Sequence, residues 1–158
     1  MTEDEVLELV TRLPDVVVVT ASEANGAPQA AWGDSFCYYD PTGDGDRHSP
    51  FATIVTQNYD GFDTESDLNR PGVFRVNVAV GRAAFEALFG YAPAAHADHH
   101  AEYDYAALDR LLPHPIYAAQ GWVSVLNPAA ATRDRLASLL TDAHDLAAKR
   151  HQRRASLG

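Results

Sequence analysis

The stretch Pro71–Gly90, PGVFRVNVAVGRAAFEALFG, constrains this chain more than any other. Phe74, Val76, Val78 and Val80 alternate with Val73, Arg75, Asn77 and Ala79. A period of two belongs to a β-strand, here with one apolar face and one face carrying a guanidinium and an amide. Gly81 breaks the strand. Phe85, Leu88 and Phe89 then fall on one side of a short amphipathic helix, which Gly90 can end in a left-handed conformation. With no room for a loop between them, strand and helix must fold back on each other, which places this unit at the centre of the core.

The flanking sequence supplies the rest of a sheet and two terminal helices. Thr2 to Glu5 reads as a capping box that opens a helix with Val6, Leu9, Val10 and Leu13 at helical spacing, closed by Pro14. Val16–Thr20 is a continuous β-branched run, expected to be a strand buried on both faces. Asn25-Gly26 marks a turn. Gln29–Trp32 and Asp34–Tyr39 read as one bent strand or two short ones hinged at Gly33. Asp40, Thr42 and Asp44 before Gly45 mimic the opening of a calcium loop, but its twelfth position is Phe51 where a bidentate Glu is required. The stretch is read as a hairpin tip. Phe51–Thr56 is a strand and Gln57–Arg70 a polar loop, whose Asp60, Asp63, Glu65 and Asp67 are taken as solvated.

Tyr91–Glu102 reads as a surface loop, and Asp104 as the cap of a short helix with Leu108, Leu111 and Leu112 turned inward, stopped by Pro113. Pro115 keeps the following residues extended. Gly121–Asn127 is the last strand, and Thr132 to about His151 the longest helix, with Leu136, Leu139, Leu140, Ala143, Leu146 and Ala147 as its apolar stripe. Most strand connections are too short for crossovers. The expectation is one α+β domain over residues 1–158: a largely antiparallel sheet of about five or six strands, with the N-terminal and C-terminal helices packed on one face.

Composition enters as a set of exclusions. The formal net charge of −10 opposes nucleic acid or anionic membrane as a partner. The basic residues Lys149, Arg150, Arg153 and Arg154 suit the end of a helix. Lys149 is the only lysine, which excludes a phosphate-loop lysine or a buried Schiff base elsewhere. A charged start argues against a signal peptide, no apolar run suits a membrane helix, and a single cysteine fits a reducing cytosol. Cys37, inside a strand, reads as a buried inert thiol.

Two constellations are candidates for chemistry. His96, Asp98, His99 and His100 carry metal-ligand side chains, yet the surrounding Ala-Pro-Ala-Ala run offers no evident platform, so no metal site is favoured. Arg75 and Asn77 point the same way from one strand. If the last strand lies nearby, Trp122 and Ser124 join them, with His114, Tyr117 and Gln120 from the preceding segment. Such a pocket suits a small anionic or amide ligand. The simpler reading places Arg75 and Asn77 on the wet side of an antiparallel sheet. His114, held between two prolines, is the candidate catalytic group, as a general base. His144 reads as a half-buried packing residue. No cofactor is expected. The function expected is non-catalytic binding of a small molecule or a protein partner, with homo-oligomerisation; the alternative is a small enzyme using His114 and Arg75, metal-assisted through His96, His99 and His100.

Several segments together carry a resemblance. Ala31-Trp-Gly-Asp34 with Phe36, Phe51–Thr56, Phe74–Val78, Leu111-Leu-Pro-His-Pro115, Pro115-x-Tyr117 and Trp122–Asn127 before a helix resemble a family of small bacterial proteins of unknown function. More remotely, the Trp-Gly motif, the Tyr-to-Trp segment and the terminal helix are similar to the YjbR/MmcQ family, which implies a CyaY-like α+β fold. The basic residues that follow the Trp-Gly strand in that family are missing here, so DNA binding is not implied.

Overall fold

The computed structural model describes residues 1–43, 45 and 49–157. Asp44 and Asp46 of the calcium-loop mimic lie outside the described residues. Among the described residues are three α-helices, α1 (Glu3–Thr11), α2 (Gly81–Phe89) and α3 (Arg133–Leu157), and six strands. The strands are β1 (Val16–Thr20), β2 (Ser35–Tyr39), β3 (Ala52–Val55), β4 (Arg75–Ala79), β5 (Leu111–Pro113) and β6 (Trp122–Leu126). They form one sheet in the order β1-β2-β3-β4-β6-β5, every named pair antiparallel.

Local chemistry starts α1 as its sequence implies: the Glu5 N–H donates to Thr2 Oγ1 and the Thr2 N–H donates to Glu5 Oε1, each at 3.1 Å. Longer-range chemistry starts α3. Asp109, from the segment before β5, accepts N–H bonds from Ala129, Ala131 and Thr132 and the Thr132 hydroxyl. These bonds, that of the Thr132 hydroxyl foremost, hold its carboxyl below the usual range.

The alternation in β4 decides what lies on each side of the sheet. Val76 and Val78 stand opposite Ile54 and Ala52 on β3, and Val125 and Val123 on β6. All six are buried with Val6 and Val10 of α1, Phe85 of α2 and Leu136, Leu139, Leu140 and Ala143 of α3. This is the main core, and the helices share that face. On the opposite face Asn77 stands between Thr53 and Ser124, and Arg75 between Val55 and Leu126. That face is not wet: Arg75 is 1% exposed and Asn77 2%. The segment between β3 and β4 folds back over it, so β4 is covered on both sides.

Several expectations are corrected. Val16–Thr20 is not buried on both faces. It is an edge strand and half-buried, because the doubly covered position belongs to β4. Gln29–Ala31 is a 3-10 turn, not a strand. No helix follows Asp104: Leu111 and Leu112 lie in β5, and Leu108 is 48% exposed. Leucines at 108, 111 and 112 fit a helix face, but an extended chain also separates 111 from 112. Here Asp109, left-handed at φ 51°, interrupts a helical path, and Pro113 lacks the N–H that a helix would use. The segment after Pro115 does not stay extended; it turns through a 3-10 element at Ala118–Gln120. Tyr91–Glu102 likewise forms two 3-10 elements, Pro93–Asp98 and His100–Glu102, with His96 buried.

Candidate functional site

The covered face of β4 carries a cavity of about 330 Å³. Its polar lining includes Thr53, Asp63, Arg75, Asn77 and His114, and five aromatic rings border it: Phe36, Tyr59, Phe62, Tyr117 and Trp122. Of the residues expected to meet here, Arg75, Asn77, His114, Tyr117 and Trp122 do. Gln120 does not; it lines a separate cleft with Ala143, Ala147 and Arg150 of α3. Ser124 lies on the same sheet face beside Asn77, and its buried hydroxyl has no hydrogen-bond partner.

Burying the Arg75 guanidinium requires an opposite charge and an acceptor for each donor. Asp63 supplies the charge, accepting from Nη1 at 3.1 Å and Nη2 at 2.5 Å in a bidentate pair. Ser66 Oγ takes the second Nη1 proton at 2.8 Å, and Asn77 Oδ1 takes the Nε proton at 2.8 Å. Asn77 Nδ2 in turn donates to Thr53 Oγ1 at 3.0 Å. Four of the five N–H groups are thereby used. The remaining Nη2 proton faces His114 Nε2 at 3.4 Å.

His114 decides what that contact is. Its Nδ1 accepts the backbone N–H groups of Ile116 and Tyr117, both at 3.0 Å. A nitrogen accepting two donors carries no proton, so the proton of the neutral ring resides on Nε2. Burial, and then the neighbouring Arg75 charge, hold the imidazolium form well below the ordinary histidine range. Nε2–H and the last Arg75 N–H are therefore two donors facing each other with no acceptor between them. In this tautomer the ring presents a donor, not a lone pair, toward Arg75.

The segment between β3 and β4 forms the aromatic and acidic wall. Tyr59 O–H donates to Asp34 Oδ2, while Thr56 donates to Asp34 Oδ1 through its N–H at 2.9 Å and its hydroxyl at 3.2 Å. Asp34 is fully buried, and desolvation pushes its carboxyl above the usual range. Phe62 and Tyr117 face each other at the mouth, ring centroids 6.2 Å apart, and Tyr117 is 42% exposed. Asp63 and Ser66, the partners of Arg75, are among the participants the sequence left unassigned, with Phe36, Thr53, Tyr59 and Phe62. The signal was an arginine flanked by valines in a core strand, which demands a carboxylate, with an acidic segment immediately upstream.

The histidine-rich segment does not gather the four residues expected of it. His96 and His100 adjoin, but Asp98 is exposed and His99 bonds Glu102 while stacking on Tyr91 at 3.9 Å. Among the described residues no three His, Cys, Asp or Glu side chains converge as a ligand set. Cys37 is buried, its thiol pushed up to about 12 by desolvation, so no nucleophilic thiolate arises there. His144 is fully packed rather than half-buried, its Nε2 donating to the Pro14 carbonyl at 2.6 Å.

Comparison with known proteins supplies a family without an activity. The family of unknown function DUF6194 matches residues 1–156, and the chain belongs to it. No curated protein and no solved structure matches the chain.

Proposed function

We propose that this chain is a non-catalytic binding domain for a small planar molecule bearing a carbonyl oxygen, held in the cavity over β4. The observation that carries the reading is the pair of unaccepted donors, His114 Nε2–H and Arg75 Nη2–H, at the cavity floor. One oxygen set to the side of the pair, about 2.9 Å from each nitrogen, would accept both, relieving two buried donors at once. The five aromatic rings would hold a flat ring system, and a volume of about 330 Å³ suits a small ligand. The charge of Arg75 is already matched by Asp63, and the chain as a whole carries −10, so a neutral amide is favoured over an anion.

The enzyme alternative lacks support at His114, whose Nδ1 is occupied and whose Nε2 is protonated. The likeness to YjbR-type proteins is kept as an expectation about fold family that rests on the sequence motifs alone. Cytosolic location is part of the same reading; no described helix is long and apolar enough to cross a membrane.

Calorimetry with benzamide, benzoate and benzylamine tests the proposal. Benzamide is expected to bind more tightly than either charged analogue. Tyr117→Ala, at the exposed mouth, should weaken it by up to about tenfold through lost ring contact while leaving the melting temperature nearly unchanged. Equal affinity for all three, or indifference to Tyr117→Ala, would contradict it.

A further inference from the structure

Away from that cavity, the two 3-10 elements after α2 bring His96, His100 and Tyr105 together in an arrangement that hydrogen bonding between neutral rings does not explain. His96 Nε2 lies 3.2 Å from His100 Nδ1 and 3.1 Å from Tyr105 Oη, and His100 Nδ1 lies 3.2 Å from the same phenol oxygen. The three atoms form a nearly equilateral triangle.

The protons of all three groups are directed elsewhere. Tyr91 donates its own hydroxyl to Tyr103, so at 3.0 Å it accepts from His96 Nδ1–H, leaving His96 Nε2 as a bare lone pair. Glu65 accepts at 2.8 Å from His100 Nε2–H, so whenever that ring is neutral its Nδ1 is bare as well. Tyr105 gives its hydroxyl proton to the His100 carbonyl at 2.8 Å, turning oxygen lone pairs toward both rings. His96 and Tyr105 are buried. Three electron-rich atoms at this spacing repel one another unless a metal ion, or a second proton on His100, sits among them.

We infer that His96 Nε2, His100 Nδ1 and Tyr105 Oη form a binding site for a borderline divalent transition-metal ion. Three donors about 2.0–2.1 Å from one ion, separated by angles near 100°, lie about 3.2 Å apart, which is the edge of this triangle. Two imidazoles and a phenol oxygen select copper, zinc or nickel over magnesium or calcium. The outer partners are those a metal-bound imidazole uses: Glu65 on the far nitrogen of His100 and Tyr91 on the far nitrogen of His96. Access is open from the His100 side, whose side chain is 36% exposed. Neither Asp98 nor His99 belongs to the set.

The test is calorimetry on the untagged full chain, stripped with a chelator and titrated separately with Cu²⁺, Zn²⁺ and Mg²⁺. One Cu²⁺ or Zn²⁺ per chain should bind, copper more tightly, with no uptake of Mg²⁺. His100→Ala should weaken Zn²⁺ binding at least about tenfold, and Glu65→Gln by roughly 10- to 100-fold. Tyr105→Phe, which preserves the buried ring, should also weaken it, whereas His99→Ala should not. Side-chain NMR of the same stripped protein keeps the outcome decisive where a variant unfolds. Metal should broaden or shift His96 Nε2 and His100 Nδ1 and leave His114 in place. Absence of stoichiometric uptake, binding that survives His100→Ala, or a doubly protonated His100 filling the triangle at neutral pH would overturn the assignment.

Discussion

Arg75 works first as a structural residue and only through one N–H as a binding one. Removing it leaves Asp63 buried without a counter-charge and strips Ser66 and Asn77 of their partner. Arg75→Ala is therefore expected to cost about 3–5 kcal/mol of stability, read as a lowered urea midpoint, rather than to yield a folded protein with an altered ligand panel. The alternation in the sequence names the face an arginine occupies but not what covers it. His114 makes a second prediction. Its folded-state pKa is depressed from 6.5, so below that value the unfolded chain takes up a proton that the folded chain refuses. The stability conferred by a neutral buried ring is complete above about pH 6.5 and is lost as pH falls, by up to about 1.4 kcal/mol per pH unit. His96, also depressed by burial, adds a contribution of the same sign. His114→Asn keeps an acceptor near the Ile116 and Tyr117 N–H groups but does not titrate. Its denaturation midpoint should fall less steeply between pH 6.5 and 5 than that of the parent chain.

Among elements, the junction of β4, α2 and β6 is the least forgiving. Val80 and Gly81 donate their N–H groups to the Gly121 carbonyl at 3.0 and 3.2 Å, drawing two backbone segments together. A Cβ on Gly121 would meet Gly81 backbone at 3.1 Å, and its φ of +83° disfavours any side chain. Gly121→Ala is expected to cost roughly 1–3 kcal/mol, measurable by thermal unfolding. The strand–helix unit around this junction was legible because its signals are local: a period of two, a glycine, then a helical period. The same holds for the α1 cap and the apolar stripe of α3. The lid over the polar face was not legible. Gln57–Arg70 is mostly polar and resembles solvated loop, and its burial depends on Arg75 donating to Asp63 and Ser66 and on Asp34 accepting from Tyr59. The histidine segment shows a related effect: Ala-Pro-Ala-Ala reads as slack chain, yet Tyr91, Tyr103 and Tyr105 pack against it from outside the motif.

At the scale of the molecule, one segment ties the two proposed sites together. The connection between β3 and β4 supplies Tyr59, Phe62 and Asp63 to the cavity, and Glu65 to His100. The sheet fixes the floor, the terminal helices support its opposite face, and the acidic surface favours neutral or cationic ligands over anionic ones. Everything proposed for the cavity depends on which nitrogen of His114 carries the proton. Long-range ¹H–¹⁵N NMR of the imidazole at pH 7 reads this directly. The expected spectrum has protonated Nε2 and bare Nδ1, with the Nε2–H resonance moving when benzamide is added. A ring protonated on Nδ1, or on both nitrogens, would contradict the account.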